Sequence, residues 1–253
     1  MAAALSHLIL AGALAYFDNP MFTDFPTLFD WLDRFQFLQG FPAAYLVLLM
    51  AMVMVVVRDW RVTLLALLLQ YLAATLLFVE LLDPRLAVVK AFTGMFICLI
   101  LYVTARQVNW GKLPADISLV EAVQLRAERQ IRFGPYLLPT TLPFRLFLAL
   151  MMALAVWTVG QQPGFQLPAI TQPHLTLAVY ALVGMGVLQV SLTAEPLKAG
   201  IGLLMFMAGF ELFYHALEQS VLMLAALAAS NLVLALTIAY LTQIRHTPGV
   251  LFD

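Results

Sequence analysis

Glu211, His215 and Glu218 stand four and then three residues apart in the run AGFELFYHALEQ, so on an α-helix they share one face. A carboxylate inside an apolar run is costly to ionise in hydrocarbon, and it ordinarily faces a polar interior, a partner group or a proton pathway. A buried acid followed by an imidazole and an outer acid has the composition of a proton relay, with Glu211 as the relay group and His215 and Glu218 leading outward. The other reading of the same acid is an interhelical hydrogen-bonding group with a purely structural use. Lys90, in PRLAVVKAFTGMF, and Glu80, near the end of the preceding apolar run, form a second candidate. They read either as a Lys–Glu pair across a helix hairpin or as a lysine whose stem snorkels outward. Asn231, in LAALAASNLVLAL, is an amide placed to hydrogen-bond between helices.

The elements that carry these residues follow from composition. The chain is 63% hydrophobic and only 11% charged, with a mean hydropathy of +0.94, whereas soluble domains are about 25% charged. This is the composition of an integral membrane protein. Long runs of helix formers without period-two alternation argue for helices rather than an outer-membrane barrel. The net charge of −1 gives no electrostatic footprint for nucleic acid. The single cysteine, Cys98, lies within an apolar run and reads as a packing residue. P-loop, G-x-S-x-G, H-E-x-x-H and dinucleotide fingerprints do not occur, and the four histidines mostly fall at the ends of apolar runs. The expectation is therefore a chain that binds no cofactor and no metal itself.

Seven segments suit the roughly 17 to 25 residues that a spanning helix needs. They lie near Phe41 to Val57, Val62 to Leu82, Leu86 to Ala105, Leu142 to Gly160, Leu175 to Thr193, Leu197 to His215 and Ser220 to Gln243, with Ala3 to Phe17 as a short eighth candidate. The fold class expected is an all-α polytopic bundle. Under strict alternation most of the Lys and Arg residues fall on one side, which the positive-inside rule makes cytoplasmic together with the C-terminus. The membrane implied is a bacterial inner membrane. From Lys198 to Glu211 is about 13 residues, roughly 20 Å at 1.5 Å per residue, which places the acid past the midplane.

Four parts follow along the chain. Residues 1–40 combine an apolar helix with an acidic interfacial segment bearing Asp18, Asp24, Asp30 and Asp33; residues 41–106 hold three spans; residues 107–141 connect; residues 142–253 hold four spans. In the connection, ADISLVEAVQLRAERQIRF reads as an amphipathic helix with Asp116 as its N-cap. Arg126, Arg129 and Arg132 then lie at lipid headgroups or dock another subunit. The stretches VRDWRVTLLALLLQYLAATLLFVE and LTAEPLKAGIGLLMFMAGFELFYHALE each have a charged turn before an apolar span containing LF, which allows a degenerate parallel repeat. Gly184, Gly186, Gly200, Gly202 and Gly209 permit close helix approach.

The basic turn at Lys198, the phrase AGFELFYHAL and the small-residue last span ending LTQIR give residues 179–245 a resemblance to a known family. This part resembles the small three-span K-type or 4L subunit of respiratory complex I, the C subunit of Mrp-type sodium/proton antiporters and the E-type membrane component of group 4 hydrogenases. In that family a second-span glutamate belongs to a chain of buried ionisable groups coupled to proton movement, and Glu211 is the position that matches it. The family's third span usually bears a second glutamate, where this chain has Ser230 and Asn231. The resemblance implies a non-catalytic membrane subunit of a proton- or sodium-translocating complex, with antiporter-like membrane subunits and lipid as partners. The alternative is an assembly subunit that fills a helix interface without ion transport of its own. A stand-alone transporter would need more mid-span polar groups than this sequence supplies.

Overall fold

The computed structural model describes residues 36–108, 130–133, 136–139, 141–167 and 170–246. Residues 1–37 belong to a separate compact unit, of which only the start of a 3-10 turn at Gln36–Leu38 is described; the apolar candidate at Ala3 to Phe17 and the acidic segment lie outside the described residues. Residues 38–253 form the second unit.

Among the described residues, seven α-helices build that unit: α1 Phe41–Val56, α2 Trp60–Leu81, α3 Pro84–Gln107, α4 Thr141–Gly160, α5 Pro173–Ser191, α6 Pro196–Leu217 and α7 Val221–His246. Six of them are long and apolar enough to cross a membrane. The remaining helix, α1, has 16 residues, or about 24 Å at 1.5 Å per residue, somewhat less than a bilayer core of about 30 Å. Helix starts are set by residues that cannot continue a preceding helix. Proline occupies the first turn of α1, α3, α5 and α6, where its missing N–H would have no intrahelical partner. Asp59 caps α2 by accepting the backbone N–H of Arg61. Ahead of α1, Gly40 adopts φ 75°, a conformation that glycine enters without steric cost.

Short connections make successive helices antiparallel neighbours. Helices α1, α2 and α3 form one layer and α5, α6 and α7 a second, and across the layers α1 packs on α5, α2 on α6 and α3 on α7; α4 leans on α1 and α5. At one end of the bundle Arg145, at the start of α4, donates to Val55 O and Leu192 O at the ends of α1 and α5. At the same end Lys198 Nζ donates to Arg58 O at 2.7 Å, and Arg245 at the end of α7 donates to Ala194 O. Cations thereby meet the carbonyls that helix C-termini leave open, where the helix dipole also favours positive charge. Among the described glycines, backbone comes nearest to backbone between α5 and α6. A Cβ placed on Gly186 would lie 2.7 Å from Gly202 O, so any larger residue must push the two backbones apart.

The last residues of the helix expected between α3 and α4, Gln130 to Phe133, form a strand, and the rest of that expected helix lies outside the described residues. Gln130–Phe133 and Tyr136–Pro139 form an antiparallel hairpin, β1 and β2, with Arg132 opposite Leu137. These are the only strands among the described residues. Arg132 is thus on a strand rather than on the amphipathic helix, and Arg126 and Arg129 lie outside the described residues. The physical reason is in the sequence: Gly134-Pro135 is strong turn chemistry, and the flanking QIRF and YLLP runs suit pairing better than continuation of a helix.

Candidate functional site

Between the two layers, near the end opposite the basic one, three helices bring polar groups together and a fourth adds an aromatic ring. Lys90 sits about two turns into α3, and Glu211 about two turns before the end of α6, so antiparallel packing puts both at one depth. Lys90 Nζ lies 2.7 Å from Glu211 Oε1, and the two side chains are only 6% and 3% exposed. From α7, Asn231 Nδ2 donates to the same Oε1 at 2.9 Å. One carboxylate oxygen therefore joins α3, α6 and α7. The Lys90 ammonium makes no further hydrogen bond among the described residues. On its other side it stands 5.6 Å from the centre of the Phe78 ring, contributed by α2, close enough for a cation–π contribution in a desolvated setting.

His215 is completely buried on the same helix as Glu211. Its Nδ1 lies 2.7 Å from the backbone oxygen of Glu211, so this nitrogen carries the proton and donates to the carbonyl. Nε2 has no hydrogen-bond partner among the described residues, and the ring stands edge-on to Phe78 at 5.6 Å. Glu218 follows at the helix end, exposed, where it accepts the Tyr214 hydroxyl at 2.9 Å. Glu211 and His215 thus lie along one buried face of α6 while Glu218 caps its end with extended backbone, and no side-chain hydrogen bond links the three. The histidine serves the backbone of its own helix, and Tyr214 occupies Glu218.

The pairing of Lys90 with Glu80 is corrected by the same geometry. Lys90 turns inward to Glu211, and its stem does not snorkel. Glu80 instead places Oε2 2.6 Å from His174 Nε2 on α5 and accepts Gly40 N on Oε1 at 2.9 Å. It fastens the starts of α1 and α5 to the end of α2. The cause is rotational: Lys90 and Glu80 lie on neighbouring helices but point to opposite partners, one into the interlayer space and one towards the bundle end.

Two polar residues beside this site escaped the sequence reading. Gln70 and Tyr71, adjacent on α2, are buried, and neither side chain has a hydrogen-bond partner among the described residues. The Tyr71 ring packs directly on Gly94 of α3, where an added Cβ would come within 2.6 Å of the ring. Their signal was available, since Gln-Tyr interrupts an otherwise apolar LALLLQYLAATLLF run. Among the described residues no group of three or more His, Cys, Asp or Glu is placed to hold a metal ion. No family model, curated protein or solved structure matches this chain.

Proposed function

We propose that this chain is a membrane subunit of a multi-subunit proton- or sodium-translocating complex, and that Lys90 and Glu211 form its protonatable element. The observation that supports this reading is the buried Lys90–Glu211 contact between the two layers. Replacing a buried ion pair by apolar side chains of similar volume is often neutral or stabilising, so stability alone is a weak reason to keep these charges in hydrocarbon. A Lys–Glu pair has a chemical use there: the proton can reside on either partner, and a nearby charge can shift it without creating two unpaired ions. Group 4 hydrogenases, Mrp antiporters and complex I supply the kind of complex that the resemblance of residues 179–245 points to, with antiporter-like subunits as neighbours and an inner membrane as location. The basic end of the bundle faces the cytoplasm in this reading.

The test is Glu211→Gln in the native complex, with ion translocation measured in membrane vesicles and assembly followed by co-purification. An assembled complex that no longer translocates ions supports the relay. Wild-type translocation refutes it, and a complex that fails to assemble assigns the acid to structure. One observation favours a second reading, an assembly subunit without transport of its own: Lys90 and Asn231 converge on a single oxygen, as in a clasp joining three helices. Under that reading the double variant Lys90→Met, Glu211→Leu assembles and the complex retains its activity.

A further inference from the structure

On the outer face of the α2–α3 hairpin lies an apolar groove of about 400 Å³. Leu64, Leu65 and Leu68 form one wall and Met95, Phe96 and Leu99 the other. The two helices are antiparallel, so the groove follows the helix axes for roughly 10 Å at 1.5 Å per residue. Its basic end is built differently. Arg61, in the first turn of α2, closes the groove with its guanidinium 5.3 Å from the centre of the Trp60 ring. Trp60 in turn meets Tyr102 of α3 at 6.0 Å. Aromatic side chains of this kind settle at the headgroup level. Asp59 uses its carboxylate on the Arg61 backbone N–H, and among the described residues no carboxylate forms an ion pair with the Arg61 guanidinium. Arg106, about one turn beyond Tyr102, is exposed at the same end.

We infer that this groove holds an acyl chain of an anionic glycerophospholipid whose phosphate pairs with Arg61. A lipid of that class carries an apolar chain and an anionic head in one molecule, matching a slot that runs from leucines to a guanidinium. A zwitterionic lipid fills the slot equally well but brings its own cation to an end already rich in Arg. A helix from another subunit would have to present an acid at the height of Arg61. The inference does not depend on ion transport; it requires only that the hairpin stand in a bilayer.

The full chain carrying Trp31→Phe, Trp110→Phe and Trp157→Phe keeps Trp60 as its one tryptophan, a reporter at the groove mouth. It is reconstituted in phosphatidylcholine vesicles doped with either brominated phosphatidylglycerol or brominated phosphatidylcholine. The expected result is several-fold stronger quenching by the glycerol lipid, reduced to the level of the choline lipid by Arg61→Gln. Equal quenching by both lipids, or a preference that survives Arg61→Gln, overturns the inference. Native mass spectrometry of the chain with its tryptophans intact gives an independent reading: retained phosphatidylglycerol that is lost with Arg61→Gln supports it, and no retention overturns it. A disulfide cross-link from Leu65→Cys to another polypeptide in native membranes, on a Cys98→Ala background, also overturns it.

Discussion

Lys90 and Glu211 face each other across the two helical layers at 2.7 Å, both of them buried. Removing one charge leaves the other unpaired in a poorly solvated space. Glu211→Leu is therefore expected to cost about 3–5 kcal/mol, and adding Lys90→Met should recover much of that loss. Glu211→Gln keeps an acceptor for Lys90 and costs less. Chemical or thermal unfolding of the wild type, Glu211→Leu, Lys90→Met and the double variant in one detergent measures the coupling. Additive losses would show that the pair is not an energetic unit.

Asn231 contributes one hydrogen bond to the same oxygen. Interhelical polar bonds within membranes average about 0.6 kcal/mol, up to about 1.7. Asn231→Ala should fall in that range and should lose its effect in a Glu211→Leu background, which a double-mutant cycle reads directly.

Gly186 and Gly202 allow the backbones of α5 and α6 to touch. Gly186→Val has no side-chain rotamer that avoids the facing backbone, so separation of the helices is the only relief. The expected loss is about 1–3 kcal/mol or more, typical of overpacking, visible as a lower melting temperature. Gly164, with open space around it, accepts alanine without that loss.

Glu80 satisfies the Gly40 backbone N–H and reaches His174. Glu80→Ala leaves that N–H without its acceptor, at a cost of about 1–3 kcal/mol if water cannot replace it. Hydrogen exchange at the amide of Gly40 should accelerate while the helix centres remain protected.

Sidedness follows from the ends of α6. In right-side-out vesicles, on a Cys98→Ala background, Glu218→Cys is expected to react with an impermeant maleimide and Glu195→Cys only after the vesicles are opened. The reverse pattern would invert the orientation proposed from the basic end.

The helices were legible because apolar runs are long and punctuated by Asp-Pro, Glu-Pro and Gln-Pro steps, and those steps became helix starts. Depth was legible too, since residue counts place Glu211 and Lys90 along their helices. Rotation about the helix axis was not. Helices α2 and α3 are apolar all round, so no hydrophobic face says which way Lys90 or Glu80 points. Packing decided that, and it gave Lys90 to Glu211 and Glu80 to His174. After α3, the run that reads as an amphipathic helix ends in Gln130–Phe133, which pairs as a strand with Tyr136–Pro139, while the rest of the run lies outside the described residues.

The two layers set helices running the same way against one another, α1 on α5, α2 on α6 and α3 on α7. Parts matched in this manner are related by a sideways shift rather than by a half-turn. A transporter built from inverted repeats has two mirror-like postures and can rock between them; the described helices contain no such counterpart postures. The described helices thus carry the directional pattern of a parallel repeat and not that of an inverted one.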